Sequence, residues 1–458
     1  MLKRKFFYWL TISNFLYIVV LLILAGVSIA MLTGENGILT QSQRAKNKTE
    51  EAAQNEANIL DSYEDIIYNT ITDVSQVEDN NPGVLEGSGT EEDPYIISSV
   101  EDFVVFSDNV TKGNTYQNQY VELKQSLDFK SDKSYVNSEI TGFCGYEGKL
   151  KTELTEGKGF ITIGTTEENA FMGEFNGKRN SIISLTIKSE NGNQGLFCNN
   201  EGVIKNLNII NSKISGNYTV GSIAAINKGK IQDCLSQGVE ITTQIGECGG
   251  ICGKSSGKIE GCVNKSNITG VGSIGGIVAI NIDTGEVLSC YNIGDIYANQ
   301  NSSNVGGIVG VSDGNVENCY NLGKVYGMIE NSSGGIVGFN QTGIVNNCYN
   351  LGVIEGINQI GGIVGANNNE VNNSYNTAEV KSENGSGSFG AIVGRNIAKV
   401  NNCYYSIEIN AIGEENGTSS NVSKIDISEM PDVLDIVGSN FKSDINKINN
   451  GYPILEWQ

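Results

Sequence analysis

The chain of 458 residues contains no histidine. That absence excludes His-Glu-x-x-His zinc chemistry and Ser-His-Asp triads, both of which need an imidazole. Cations are scarce as well: 30 Lys and Arg stand against 52 Asp and Glu, a net charge of −22. Nucleic acid is therefore not an expected partner, because its binding needs cationic patches that release counterions. Such a charge instead suits a soluble surface kept apart by self-repulsion. Helical periodicity is missing too, since no segment between residues 190 and 405 sustains apolar helical spacing over three turns. Paired carboxylates remain open to sugar chemistry, but Asp283, Asp313 and Glu317 lie in loops that differ from one another, and no pair stands out. Asp283-Thr284-Gly285 and Asp313-Gly314 offer oxygens to calcium, yet a turn accounts for both. The expectation is no catalytic residue, no metal and no cofactor.

What the sequence does contain is a period. Residues 306–350 state one pattern twice: Gly-Gly-Ile-Val-Gly, a loop, an apolar residue, two further residues, then Cys-Tyr-Asn. The Ile of that opening recurs at Ile223, Ile251, Ile277, Ile308, Ile336, Ile363 and Ile392, with gaps of 28, 26, 31, 28, 27 and 29. Leu196, 27 residues before Ile223, begins an eighth, degenerate copy. A second ladder keeps the same period: Cys234, Cys262, Cys290, Cys319, Cys348, Ser374 and Cys403. Three residues before each stands Ile or Val, from Ile231 to Val400. A repeat of this length marks an array of identical units, none able to bury its apolar face alone.

Residue type decides what the units are. Their apolar segments are short, β-branched and punctuated by Gly and Asn, which reads as strands. About 27 residues accommodate three short strands and three turns, and stacked coils pair each strand with its equivalent at about 4.8 Å. The predicted fold is all-β: a parallel β-helix, or β-solenoid, of about eight coils with end caps. The glycines are expected to supply positive φ angles at corners and close backbone approach. The Asn after each Tyr (Asn292, Asn321, Asn350, Asn376) is expected to form an amide ladder, with a glycan-binding row as its functional alternative. Six of the ten cysteines share one slot, where in-register Cβ atoms would lie near 4.8 Å apart rather than the roughly 3.8 Å a disulfide wants. They read as small buried hydrophobes. Cys252 falls in the Val slot and Cys198 in the slot of the last motif glycine, while Cys144 lies outside the ladder.

The ends differ from the array. Lys3, Arg4 and Lys5 precede Phe6–Leu32, 27 residues without charge, long enough to cross a bilayer with the basic flank in the cytoplasm. A cleaved secretory signal is the rival reading. The organisation expected is a basic flank and membrane helix over residues 1–40, a helical stalk over 41–72, a linker over 73–89, a lead-in over 90–190, repeats over 191–405 and a C-terminal cap over 406–458. In the lead-in, Ser99-Val100-Glu101-Asp102 predicts a capping box for a short helix carrying Phe103, Val104 and Phe106. Near the end, Ser428–Val437 suggests a short helix, and Tyr452–Trp457 a strand closing the last coil.

Gly307-Ile308-Val309-Gly310, Gly335-Ile336-Val337-Gly338 and Gly362-Ile363-Val364-Gly365, each followed by a Cys-Tyr-Asn or Ser-Tyr-Asn, resemble GLUG repeats. The resemblance covers roughly residues 190–405. It implies a bacterial surface protein or adhesin; such repeats also accompany the catalytic domain of immunoglobulin A-cleaving metallopeptidases, whose histidine chemistry this chain lacks. Leu21–Ala30 and Leu32–Leu39 resemble pilin-type leaders, without the Gly-Phe-Thr-Leu-Ile-Glu run at which prepilins are processed. The function expected is a membrane-anchored, extracellular, non-enzymatic protein presenting a solenoid surface for binding, in adhesion to host or cell-surface glycans or proteins. A structural subunit of a pilus-like filament is the alternative, and a polysaccharide-acting enzyme the third.

Overall fold

A computed structural model describes residues 85–129, 160, 162–188, 192–327, 332–425, 440–446, 449 and 451–458, together with the backbone of a hairpin formed by Thr141–Phe143 and Tyr146–Lys149. The proposed membrane helix, stalk and linker and the Ser428–Val437 helix lie outside the described residues. Among the described residues no helix is long and apolar enough to cross a membrane.

The described chain winds as a parallel β-solenoid. Each turn crosses three faces, which stack into sheets of 21, 13 and 9 strands. The turn that starts at Val337 shows the plan. Val337–Asn340 lies on the third face, Ile344–Asn346 and Tyr349–Asn350 on the first, Ile354–Gly356 and Gln359–Gly361 on the second. One period later, Val337 pairs with Val364, Val345 with Val371, Tyr349 with Tyr375 and Ile354 with Val380, all parallel. The isoleucine ladder is continuous: each amide from Ile223 to Ile363 donates to the carbonyl of the next ladder Ile at 2.9–3.0 Å.

Two expectations need correction. The solenoid has about ten turns rather than eight, because pairing outruns the motif at both ends. Glu174–Asn176, Ser181–Ile183 and Thr186–Lys188 already align with the next turn, and Ile412–Glu415 and Thr418–Lys424 continue the ladders after Tyr405. A parallel ladder needs only extended backbone and an inward apolar residue, which Phe175, Ile182 and Ile187 supply without Gly-Gly-Ile-Val-Gly.

Glycine supplies positive φ angles as expected at Gly238, Gly261, Gly272, Gly385 and Gly387, but the motif glycines do not. Gly306, Gly307 and Gly310 have none; in the repeats the residue before each position of the Cys/Ser ladder is left-handed, at Asp233, Gly261, Ser289, Asn318, Asn347, Asn373 and Asn402. Asn and Asp tolerate that region through local hydrogen bonds, so they kink the first face into two strands. Gly307 serves close approach instead. A Cβ there would lie 2.0 Å from the Gly335 carbonyl oxygen.

Helix α1 (Val100–Thr111) forms from its capping box: Ser99 Oγ accepts from the Asp102 amide at 3.1 Å, and Asp102 Oδ2 accepts from the Ser99 amide at 3.0 Å. Its Phe103 and Phe106 are fully buried and pack on Phe171, Phe175 and Phe197 of the first turns. The open end of the core, which would expose apolar side chains, is thereby covered.

Candidate binding surface

The ladders read from the sequence lie inside the rod. Ile223, Ile251, Ile277, Ile308, Ile336, Ile363 and Ile392 are fully buried, as are Cys262, Cys290, Cys319, Cys348 and Cys403, with Cys234 at 1% exposure. None of these side chains can meet a ligand. The cysteine slot is less apolar than a hydrophobe requires. Cys348 Sγ donates to the Asn346 carbonyl at 3.2 Å, and in the Ser374 copy the hydroxyl donates to the Asn372 carbonyl at 2.7 Å. That shared carbonyl explains why Ser substitutes for Cys. All six ladder thiols are free, as are buried Cys248 and Cys252. Burial pushes the Cys403 thiol up to about 12, so the neutral form prevails. Cys198 stands apart, in a disulfide.

The asparagines form the expected amide ladder. Nδ2 of Asn264, Asn292, Asn321 and Asn350 each donates to Oδ1 of the next Asn at 2.7–2.9 Å. With Asn264 and Asn376 this row is fully buried, which removes the glycan-binding alternative for it. A second internal ladder on the third face escaped the sequence reading: Asn200 donates to Asn227, Asn227 to Ser255, Asn340 to Asn367, and Asn367 to Asn396. Its residue type drifts between Asn and Ser, so the repeat is weaker to the eye.

Whatever the rod binds must meet its outward rows. On the third face the row runs Ile226, Lys254, Ile280, Val311, Phe339, Ala366, Arg395. On the second it runs Thr242, Thr269, Tyr297, Tyr326, Glu355, Lys381, with the Lys324 ammonium 5.5 Å from the Tyr326 ring centre. A shallow concavity of about 340 Å³ lies upstream on that face, between Gly238–Thr242 and Asn267. Ion pairs such as Lys324–Glu355 at 2.7 Å dot the surface, and exposed pairs of this kind contribute little stability.

The first face carries the most organised row. Tyr291, Tyr320, Tyr349 and Tyr375 stack with ring centres 4.7, 4.8 and 5.0 Å apart and planes within 4°. Their outward direction follows from strand alternation: Cys points in, Tyr out, Asn in. An aromatic stripe of this length needs cover. The C-terminal segment provides it, which corrects the expectation that Tyr452–Trp457 closes the last coil. The antiparallel pair Phe441–Lys442 and Ile454–Leu455 lies along the stripe. Trp457 packs against Tyr291 and Tyr320 and donates through Nε1 to the Asn318 carbonyl at 3.0 Å. Tyr349 donates to Gln458 Oε1 at 3.0 Å, and Tyr375 to the Pro453 carbonyl. Phe441 and Leu455 bury their apolar side chains against Tyr320, Tyr349, Tyr375 and Tyr404, and that burial favours the flank.

Burial raises the Tyr320, Tyr349 and Tyr375 hydroxyls above the usual phenol range. The stabilisation they provide is full below the unfolded phenol value of about 10 and is lost as pH rises beyond it through the raised folded value. Above about pH 10 the C-terminal segment should leave the stripe before the solenoid unwinds. Trp457 emission should then shift red while the far-ultraviolet β signal holds, and a Trp457→Phe chain should show no such shift.

Fold and surface together define a repeat solenoid with a sealed core and varied outward rows. Among known proteins, the model of the GLUG motif matches residues 301–326. The chain is 26% identical over 180 residues to halomucin of Haloquadratum walsbyi, a match spanning 39% of this chain and 2% of that protein. A crystal structure of a Bacteroides ovatus protein, provisionally named an immunoglobulin A1 protease, superposes with a TM-score of 0.47 at 17% identity, over 81% of this chain and 95% of that one.

Proposed function

We propose that this chain is an extracellular bacterial repeat protein, held at the cell surface by its N-terminal apolar segment, whose solenoid flanks bind host or cell-surface glycans or proteins in adhesion. One observation carries the reading: on the first face the inward Ile/Val row repeats while the outward row beside it does not. The row Ile231, Ile259, Val287, Val316, Val345, Val371, Val400 changes by no more than a methyl group. Its outward neighbour runs Gln232, Glu260, Leu288, Glu317, Asn346, Asn372, Asn401. Recognition can therefore vary from turn to turn without touching stability, as solenoid binding faces require. The GLUG motif and the likeness to halomucin support an extracellular setting.

The reading assigns no catalytic role to the chain. The test is binding of the purified full-length chain to mucins, matrix proteins, glycans and bacterial cell walls. Saturable binding to one class is the expected result. A folded chain that binds none of them overturns adhesion and favours a filament subunit, and sugar release from a polysaccharide overturns the non-enzymatic part.

A further inference from the structure

The tyrosine stack stops at Tyr291, and the slot beyond it is open. In the two preceding turns the same outward position holds Val263 and Leu235, paired in register with Tyr291. Both are too short to reach the height of the rings. The result is a cavity of about 310 Å³ walled at one end by Tyr291, with Val263 and Leu235 as floor. Trp457 lies beside the stack, at 6.2 and 5.8 Å from the Tyr291 and Tyr320 centres. It does not line this cavity, and among the described residues no ring stacks on the outer face of Tyr291.

The flanks of the slot are polar. Asp233, at the kink before Cys234, lines one side, and Lys265, after Asn264, lines the other; both are exposed. Asp233 Oδ2 accepts from Gln232 Nε2 at 3.0 Å, and a Cβ at Gly261 would lie 2.3 Å from Oδ1. Glycine at that kink thus keeps the carboxylate standing at the rim. Asn208 closes the far end.

We infer that this slot binds a pyranose ring of a glycan. The inference deepens the binding role proposed above and rests on it. An aromatic ring presents a negative face that attracts polarised C–H groups, and a pyranose with equatorial hydroxyls offers such C–H groups on its flat side. The stack repeats at 4.7–5.0 Å, so one ring laid on Tyr291 continues it above Val263. The equatorial hydroxyls then point sideways, toward the Asp233 carboxylate and the Lys265 ammonium. An aromatic side chain of a protein partner fits less well, because it would cover both charged groups without giving either a hydrogen bond.

The experiment is saturation-transfer NMR on the full-length chain with cellotetraose, chitotetraose and tri-galacturonate as separate probes. At least one probe should receive saturation on its ring C–H protons. The effect should fall at least tenfold in Tyr291→Val, a substitution the fold accommodates because Val263 already occupies that position one turn earlier. It should persist in Tyr291→Phe. Saturation of no probe overturns the inference, as does a signal unchanged in Tyr291→Val. A chain that keeps its surface target through Tyr291→Val overturns the slot alone and leaves the adhesive role standing.

Discussion

Replacing Gly307 with Ala should destabilise the rod more than the removal of most core methyl groups. The added Cβ would lie 2.0 Å from the Gly335 carbonyl oxygen and 2.5 Å from Asn321 Cγ. Neither obstacle can move freely. The Gly335 carbonyl belongs to the corner of the next turn, and Asn321 is held on both sides by the amide ladder. Relief requires two turns to separate, which breaks the Ile308–Ile336 hydrogen bond at 2.9 Å. Overpacking in a dense interior costs about 1–3 kcal/mol and more where backbone must shift; here about 3 kcal/mol is expected, concentrated in the turns around residues 307–336. Amide hydrogen exchange should show protection lost there first, because repeats unfold by neighbour interactions. Gly385→Ala makes a useful contrast. No atom lies within 4 Å of its added Cβ, although φ is +67°, so its cost should stay near the roughly 1 kcal/mol of a left-handed alanine. Equal exchange in the two variants would sink the close-approach account of the motif glycines.

Asn321→Asp is the second large effect. Asn321 Nδ2 donates to Asn350 Oδ1 at 2.9 Å and to the Gly323 carbonyl at 2.8 Å, while its Oδ1 accepts from Asn292 at 2.8 Å. A carboxylate keeps the last bond and turns the first two into oxygen-against-oxygen contacts at a fully buried site. An uncompensated buried charge costs about 3–5 kcal/mol. The folded chain relieves this by holding the proton, so the folded pKa of the new carboxyl rises above the unfolded value of about 3.9. The penalty is then small below about pH 4 and grows as pH rises toward neutrality. Urea midpoints across that range should converge with wild type in acid and diverge at pH 7. A gap independent of pH would mean that the site takes up water and is not sealed.

The period, the parallel stacking and the identity of the inward rows were legible because each turn repeats the same environment. Ile308, Cys319 and Asn321 meet their equivalents one period on, so the same choice is written again at Ile336, Cys348 and Asn350. Translational symmetry converts a tertiary contact into a sequence pattern. The capping box of α1 was legible for a different reason, since its hydrogen bonds span only three residues.

Features without a partner one period away left no such trace. Trp457 rests on Tyr291 and donates to Asn318, 139 residues distant, and nothing in its neighbourhood indicates that flank rather than the rod's end. The turns beyond the motif at both ends were hidden because they lack Gly-Gly-Ile-Val-Gly and put other residues in the Ile/Val row, Phe175 at one end and Ser419 at the other. Likewise, the open slot beside Tyr291 depends on which side chains stop short of the ring plane, a matter of height above the sheet. The sequence by itself determined the period, the class of fold and the inward rows, because local repetition and alternation dictate them. Only the tertiary structure decided where the C-terminal segment lies, how far the ladders run and where the aromatic stack opens to solvent, because those depend on contacts between residues that share no period.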